Sequence, residues 1–289
     1  MSVQIIADSA CDLPLEYMSE NNITMVPLWV HLDGKDYEDQ ISIKPKVVYD
    51  AMRNGKAPKT SQVSPQAFYE LFEQLAKDKQ PGLYIAFSSE LSGTYQTAVM
   101  MRDEVKAKYP DLELEIIDSK CASLGYGLVI MEAAKQAAKG KSLNELIQTA
   151  KYWSTHMEHL FTVDDVEYLA RGGRISKTSA FIGGLLNIKP LLNVEDGKLV
   201  PLDKFRGKKK LMRAVLDEME KRGDHLDKQI IGISHGDDLE TAQEYKEAFK
   251  DRFGNDSVFI TSVGATIGAH SGPGTIAIFF LNKFPEDAL

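Results

Sequence analysis

Hydroxyl, imidazole and guanidinium groups gather in five short segments of this chain. Ser88-Ser89-Glu90-Leu91-Ser92-Gly93-Thr94-Tyr95 follows an apolar run and opens a helical one. Its hydroxyls and backbone N–H groups therefore meet at a helix N-terminus, which suits a carboxylate or a phosphate. Lys59-Thr60-Ser61-Gln62 precedes a helix opened by Ser64-Pro65, and His270 stands in Gly268-Ala269-His270-Ser271-Gly272-Pro273-Gly274. The flanking glycines place His270 in a loop where backbone can approach a ligand closely. Arg171-Gly172-Gly173-Arg174-Ile175-Ser176-Lys177 and Arg206-Gly207-Lys208-Lys209-Lys210 are the basic clusters. Each segment also has a plainer reading: Ser88 or Ser92 as a helix cap, Thr60 as a loop hydroxyl, His270 as a turn residue, the basic runs as solvated faces.

Several chemistries find no support in the spacing. The chain has no G-x-G-x-x-G after its first strand and no G-x-x-x-x-G-K-[ST], so it carries neither common nucleotide signature. Ser92 and His270 could act as nucleophile and base, but Ser92 does not stand in a G-x-S-x-G and no acid is identifiable to orient the histidine. Cys11 and Cys121 are too few for a disulfide framework and show no zinc-ligand spacing, which fits a reducing cytoplasm.

These segments need elements to hold them. Val3–Ala7, Ile23–Leu28, Gly82–Phe87 and Leu114–Asp118 read as short buried strands. Helical patterns lie between them: the Phe68, Leu71, Phe72, Leu75 face after Ser64-Pro65, then Ser92–Lys108 and Ala122–Ala138. Strands alternating with helices predict a parallel, helix-covered sheet. Beyond Tyr152-Trp153 the pattern shifts. His159–Val163, Pro190–Val194 and Lys198–Leu202 are strands, the last two joined by a Glu195-Asp196-Gly197 hairpin turn. Gln229–Ser234 and Ser257–Val263 flank a helix over Leu239–Phe253, and Thr275–Leu281 closes the chain as a strand. The expected architecture is two α/β domains, residues 1–155 with a parallel sheet and 156–289 with a mixed sheet.

Composition sets the bounds. With 289 residues, 43% hydrophobic and 26% charged, the chain can bury a full core. A net charge of −8 argues against a general nucleic-acid binder. The N-terminus meets Asp8 before any long apolar run, and no span reaches the roughly 20 apolar residues of a membrane helix, so a cytoplasmic protein without a membrane anchor is expected.

Taken in order, Asp8-Ser9 and Asp12-Leu13, Lys59-Thr60-Ser61-Gln62, Ser89-Glu90-Leu91-Ser92-Gly93-Thr94-Tyr95, Asp118-Ser119, Arg171–Lys177 and Ala269-His270-Ser271-Gly272-Pro273-Gly274 resemble the DegV family across essentially the whole chain. The resemblance implies two α/β domains with a long-chain fatty acid held between them. It implies a lipid-binding subunit of a bacterial fatty acid kinase, with no cofactor and no catalytic residue of its own. A separate ATP-binding kinase subunit, related to dihydroxyacetone kinases, would phosphorylate the bound carboxylate. Thr60, Ser61, Ser92 and His270 fall at the carboxylate-binding positions, and Arg174 and Arg206 at basic positions facing the kinase, on a surface and outside the lipid pocket. Glu90 departs from the glycine that many relatives carry, and is expected to face solvent. The competing readings are a Ser-dependent acyl hydrolase, or another stand-alone enzyme, and a lipid-sensing regulator. Buried methylenes contribute roughly 0.8 kcal/mol each, so about 15 of them outweigh the ordering costs of binding.

Overall fold

A computed structural model describes residues 2–175 and 188–285. The chain begins with strand β1 (Gln4–Asp8), a short 3-10 turn, helix α1 (Leu15–Glu20) and β2 (Ile23–Val26). Next come β3 (Trp29–Leu32), β4 (Lys35–Glu38), α2 (Pro45–Arg53) and β5 (Lys59–Ser61). Helix α3 (Pro65–Asp78), β6 (Gly82–Ala86), α4 (Thr94–Lys108), β7 (Leu114–Asp118), α5 (Ser123–Ala138) and α6 (Leu143–His156) complete the first half. The second half runs through β8 (Met157–Thr162), α7 (Val166–Arg171), β9 (Ile188–Glu195), β10 (Lys198–Arg206) and α8 (Lys208–Arg222). It ends with β11 (Ile231–His235), α9 (Leu239–Phe253), β12 (Val258–Ser262), α10 (Ala265–Ser271) and β13 (Ile276–Leu281).

The fold is α/β. One sheet, ordered β2-β1-β6-β7, is parallel throughout. Its inner strands β1 and β6 are buried along their whole length, as strands covered on both faces by helices must be. The second sheet, β10-β9-β8-β13-β11-β12, is mixed. Local signals work as the sequence suggests: Ser64 accepts from the Ala67 N–H and caps α3 ahead of Pro65. Ser142 and Glu145 form a reciprocal capping box on α6.

A third, three-stranded antiparallel sheet, β4-β3-β5, is not anticipated by the sequence. Ile23–Leu28, read as one strand, ends at Val26, and after Pro27 and Leu28 a new strand starts at Trp29. Lys59-Thr60-Ser61 is a strand of that small sheet and not a loop. Val30 and Leu32 of β3 turn inward onto α2 and α10, forming a separate small core with Val48 and Ala265.

Helix α5 joins the large sheets. The main apolar cluster runs from Ile6 and Phe87 through Leu124 and Leu128 to Phe161 and Phe279, so one continuous core lies beneath both. No helix among the described residues is long and apolar enough to cross a membrane.

Candidate ligand site: a cavity with one polar end

Between the two large sheets and the small one lies a cavity of about 410 Å³, within the size range of small-molecule sites. Phe87, Leu91, Phe161, Leu169, Ile267 and Phe279 form much of its wall. Polar groups gather at one end, where Thr60, Ser92, Gly93, Arg174 and His270 line it together.

The central contact of this polar end joins residues far apart in the chain. Thr60 Oγ1 and His270 Nε2 lie 2.6 Å apart in a hydrogen bond. Strand β5 turns Thr60 inward, because its neighbour Val30 on β3 faces the core. His270 sits on the last turn of α10, so its expected place in a loop is corrected: the glycines that suggested a loop include Gly268, inside the helix, and Gly272, at its end. Gly172 has to be glycine, because a Cβ there would come within 2.2 Å of His270 Nδ1. Burial and the nearby Arg174 guanidinium push the His270 imidazole down to about 4, so it is neutral near pH 7.

Ser92 lines the cavity and steadies the start of α4. Its Oγ accepts from the Thr94 N–H at 3.2 Å and shares a 2.9 Å hydrogen bond with the Thr94 hydroxyl. Gly93 caps α4 without a side-chain acceptor, which leaves the positive end of a 15-residue helix at the cavity wall.

Ser61 borders the cavity, but its hydroxyl is engaged elsewhere. Ser61 Oγ is 2.9 Å from His31 Nε2, and His31 Nδ1 is 2.6 Å from Asp36 Oδ1, on the outer face of the small sheet. Strand alternation explains it: Thr60 points in, so Ser61 points out.

Arg174 needs correcting as well. Expected on a surface outside the pocket, it is half-buried and lines the cavity. The turn through Gly172 and Gly173 folds it back, and its Nε donates to the Leu91 carbonyl at 3.2 Å. Arg206 is exposed at the end of edge strand β10 and does not reach the cavity. Ser176 and Lys177 of the same basic motif lie outside the described residues.

Sequence reasoning gave His159 and Asp39 no place in the site, and quoted Asp12 in a motif without a role. His159 lines the cavity from β8, where it reads as one more residue of an apolar strand. Burial pushes it to about 4, and its Nε2 accepts the Ala122 N–H at 3.1 Å, which leaves Nδ1 to donate to the Met157 carbonyl. Asp12 Oδ1 accepts the Gly264 N–H at 2.9 Å and Asp39 Oδ1 accepts the Ala265 N–H at 3.1 Å. The start of the helix that carries His270 is thus tied to the first 40 residues. Burial raises both carboxyls above the ordinary carboxylate range.

On the outer side of the Thr60–His270 contact is a second depression, of about 290 Å³. Lys59, Arg171 and Arg174 border it with no carboxylate among its lining residues. It shares Thr60, Arg174 and His270 with the apolar cavity.

The edge hairpin β9–β10 closes another side, through Val194 and Leu199. Its tip reaches the first half of the molecule, where Ser88 Oγ donates to the Gly197 carbonyl at 2.8 Å. Glu90 faces outward, as expected, and pairs with Lys120 at 3.3 Å and Lys198 at 3.5 Å.

Comparison with known proteins agrees over the full length. A family model described as "Uncharacterised protein, DegV family" matches residues 2–283. A DegV domain-containing protein of Clostridium perfringens is 40% identical over 285 residues, covering 98% of both chains. Among solved structures, a DegV family protein from Thermus thermophilus, described as fatty-acid binding, superposes with a TM-score of 0.87 at 29% identity, over 96% of this chain and 99% of that one. DegV of Bacillus subtilis, described as a fatty acid binding protein, gives 0.85 at 27% identity, over 96% and 98%. The fold is shared too with a Streptococcus pneumoniae Fatty Acid Kinase (Fak) B3 protein loaded with linoleic acid, at 0.86 and 23% identity over 98% and 100%.

Proposed function

This chain belongs to the DegV family, and we propose that it binds one long-chain fatty acid and presents the carboxylate to a separate ATP-dependent kinase subunit for conversion to an acyl phosphate. The observation that carries this reading is a mainly apolar cavity that Thr60, Ser92, Arg174 and His270 line together, with Thr60 hydrogen-bonded to His270. A buried carboxylate needs compensating donors. The Ser92 and Thr60 hydroxyls, the α4 N-terminus and the Arg174 guanidinium supply them, while the acyl chain lies along Phe161 and Phe279.

The outer depression bounded by Lys59, Arg171 and Arg174 supports the second half of the proposal. Phosphates brought by a partner meet cations there, on the far side of the Thr60–His270 contact from the acyl chain. Guanidinium groups suit that task. In this reading Arg206 serves partner docking, and Arg174 serves both the ligand and the partner.

The test is native mass spectrometry of protein purified from cells, followed by lipid extraction. One equivalent of a long-chain fatty acid is expected, and the delipidated chain should take up oleate or palmitate with a rise in melting temperature. A preparation that carries no lipid and is indifferent to both acids sinks the proposal.

A second reading, a Ser-dependent acyl hydrolase, draws on one observation: Ser61, His31 and Asp36 are hydrogen-bonded in the order nucleophile, base, carboxylate at the edge of the cavity. Turnover of p-nitrophenyl laurate that disappears in Ser61→Ala would favour it. The Ser92–His270 pairing imagined from sequence is not formed, since their hydroxyl and imidazole are engaged with Thr94 and Thr60.

A further inference from the structure

We propose that the β9–β10 hairpin is a strap over the acyl cavity and that Ser88, Glu90, Lys120 and Lys198 are the latch that sets how fast ligand leaves. The strap rests on the fatty-acid reading above, while the latch itself is a contact within the protein that can be measured without ligand.

The hairpin is built as an arm. Its strands pair with each other along their length, from Lys198–Glu195 to Arg206–Ile188. Among the described residues β9 pairs with β8 only at Leu160–Asn193 and Phe161–Leu192. Among the described residues the outer strand β10 is the sheet edge, with no further strand beside it. Between the base and the tip, Val194 and Leu199 face each other across the arm and both line the cavity. Lifting the tip beyond Asn193 would remove that wall while the described β8–β9 pairs stay intact.

The tip is fastened to the other half of the molecule. Gly197, at φ +83°, lets the turn approach so closely that a Cβ would stand 2.5 Å from Ser88 Oγ and 2.8 Å from Lys120 Cδ. The Ser88–Gly197 hydrogen bond is buried. Around it the ion pairs are open to water: the Glu90, Lys120 and Lys198 side chains are 36%, 42% and 67% exposed. Lys120 is also anchored to Asp118 at 3.0 Å, so Glu90 bridges a lysine of the first half to the arm's Lys198. Leu91 and Ser92, directly after Glu90, line the cavity, so latch and ligand site share one loop. A fastening of one buried hydrogen bond and exposed ion pairs holds the arm down in the resting state and yields to modest forces.

The test loads the full-length chain with cis-parinaric acid and follows its release by stopped-flow fluorescence. Glu90→Lys, a surface change, places like charges together and should speed release about fivefold, the scale of two exposed ion pairs. Glu90→Lys combined with Lys198→Glu should restore most of the slow rate. Raising salt from about 0.05 to 0.5 M should speed wild-type release and leave Glu90→Gln unchanged. Hydrogen exchange of residues 194–199, measured without ligand, should quicken in Glu90→Lys and in Ser88→Ala. Release and exchange rates that ignore these changes overturn the strap. If the chain takes up no fatty acid, the function proposed above fails, and tip exchange alone decides whether the latch exists.

Discussion

The polar end of the cavity and its hairpin side hold the same space by opposite means. At the polar end, Thr60 and His270 are 210 residues apart in sequence and meet through a part-buried 2.6 Å hydrogen bond. At the hairpin side, Val194 and Leu199 are neighbours across one turn, and the fastening of that turn is half in water. The comparison predicts different tasks: the polar contacts at the ligand's end set how tightly it is held, and the fastening of the hairpin, with its ion pairs open to water, sets how readily it exchanges.

The largest expected effect is at the polar end. Thr60→Val, Ser92→Ala or His270→Ala each removes a polar partner from a desolvated carboxylate, at a cost of about 1.5–3 kcal/mol. That is roughly 10–150-fold in the dissociation constant, read by titrating delipidated protein with oleate. If these variants alter only the release rate, as hairpin variants should, the division of labour is wrong.

The two arginines sharpen the comparison at its border. Arg174→Glu places a carboxylate in the wall shared by both depressions, so fatty-acid retention should fall together with acyl phosphate formation by the partner. Arg206→Glu, remote from the cavity, should leave retention intact and lower only acyl phosphate formation, together with the salt-dependence of partner binding. Equal loss of retention in both would make the position of Arg174 irrelevant.

The smallest effect is a fraction of a proton. His270 titrates at about 4 in the free protein, and a carboxylate placed beside it favours the imidazolium. Its bound-state value is therefore the higher one, so binding takes up protons and affinity rises as pH falls from neutral toward that value. Calorimetry at about pH 5.5 in buffers of different ionisation enthalpy should detect the uptake, and His270→Gln should abolish it.

How much of this is legible in the sequence depends on the kind of contact. The two large sheets announce themselves as apolar runs, and Leu114–Asp118 and Leu239–Phe253 have the expected limits. The small sheet does not, because Lys59-Thr60-Ser61 contains no apolar residue and Pro27 sits inside what reads as one strand. Thr60, Ser92 and His270 are singled out by motif resemblance, and only the fold puts them together. That Thr60 points inward and Ser61 outward follows from a strand that period alone could not reveal. Asp39 gives no local signal, since its partners are the Ser9 hydroxyl and the start of a helix 226 residues away.

Those aspartate ties also fix a timetable. The N–H groups that Asp12 and Asp39 receive belong to Gly264 and Ala265, and the imidazole that completes the Thr60 contact belongs to the same late helix. At a synthesis rate of 5–20 residues per second, Thr60 leaves the ribosome about 10–40 s before His270 follows. For that interval both acids and the threonine wait without these late partners, while the first sheet is completed once Asp118 has been made. The cavity acquires its polar end only after residue 270 has been made.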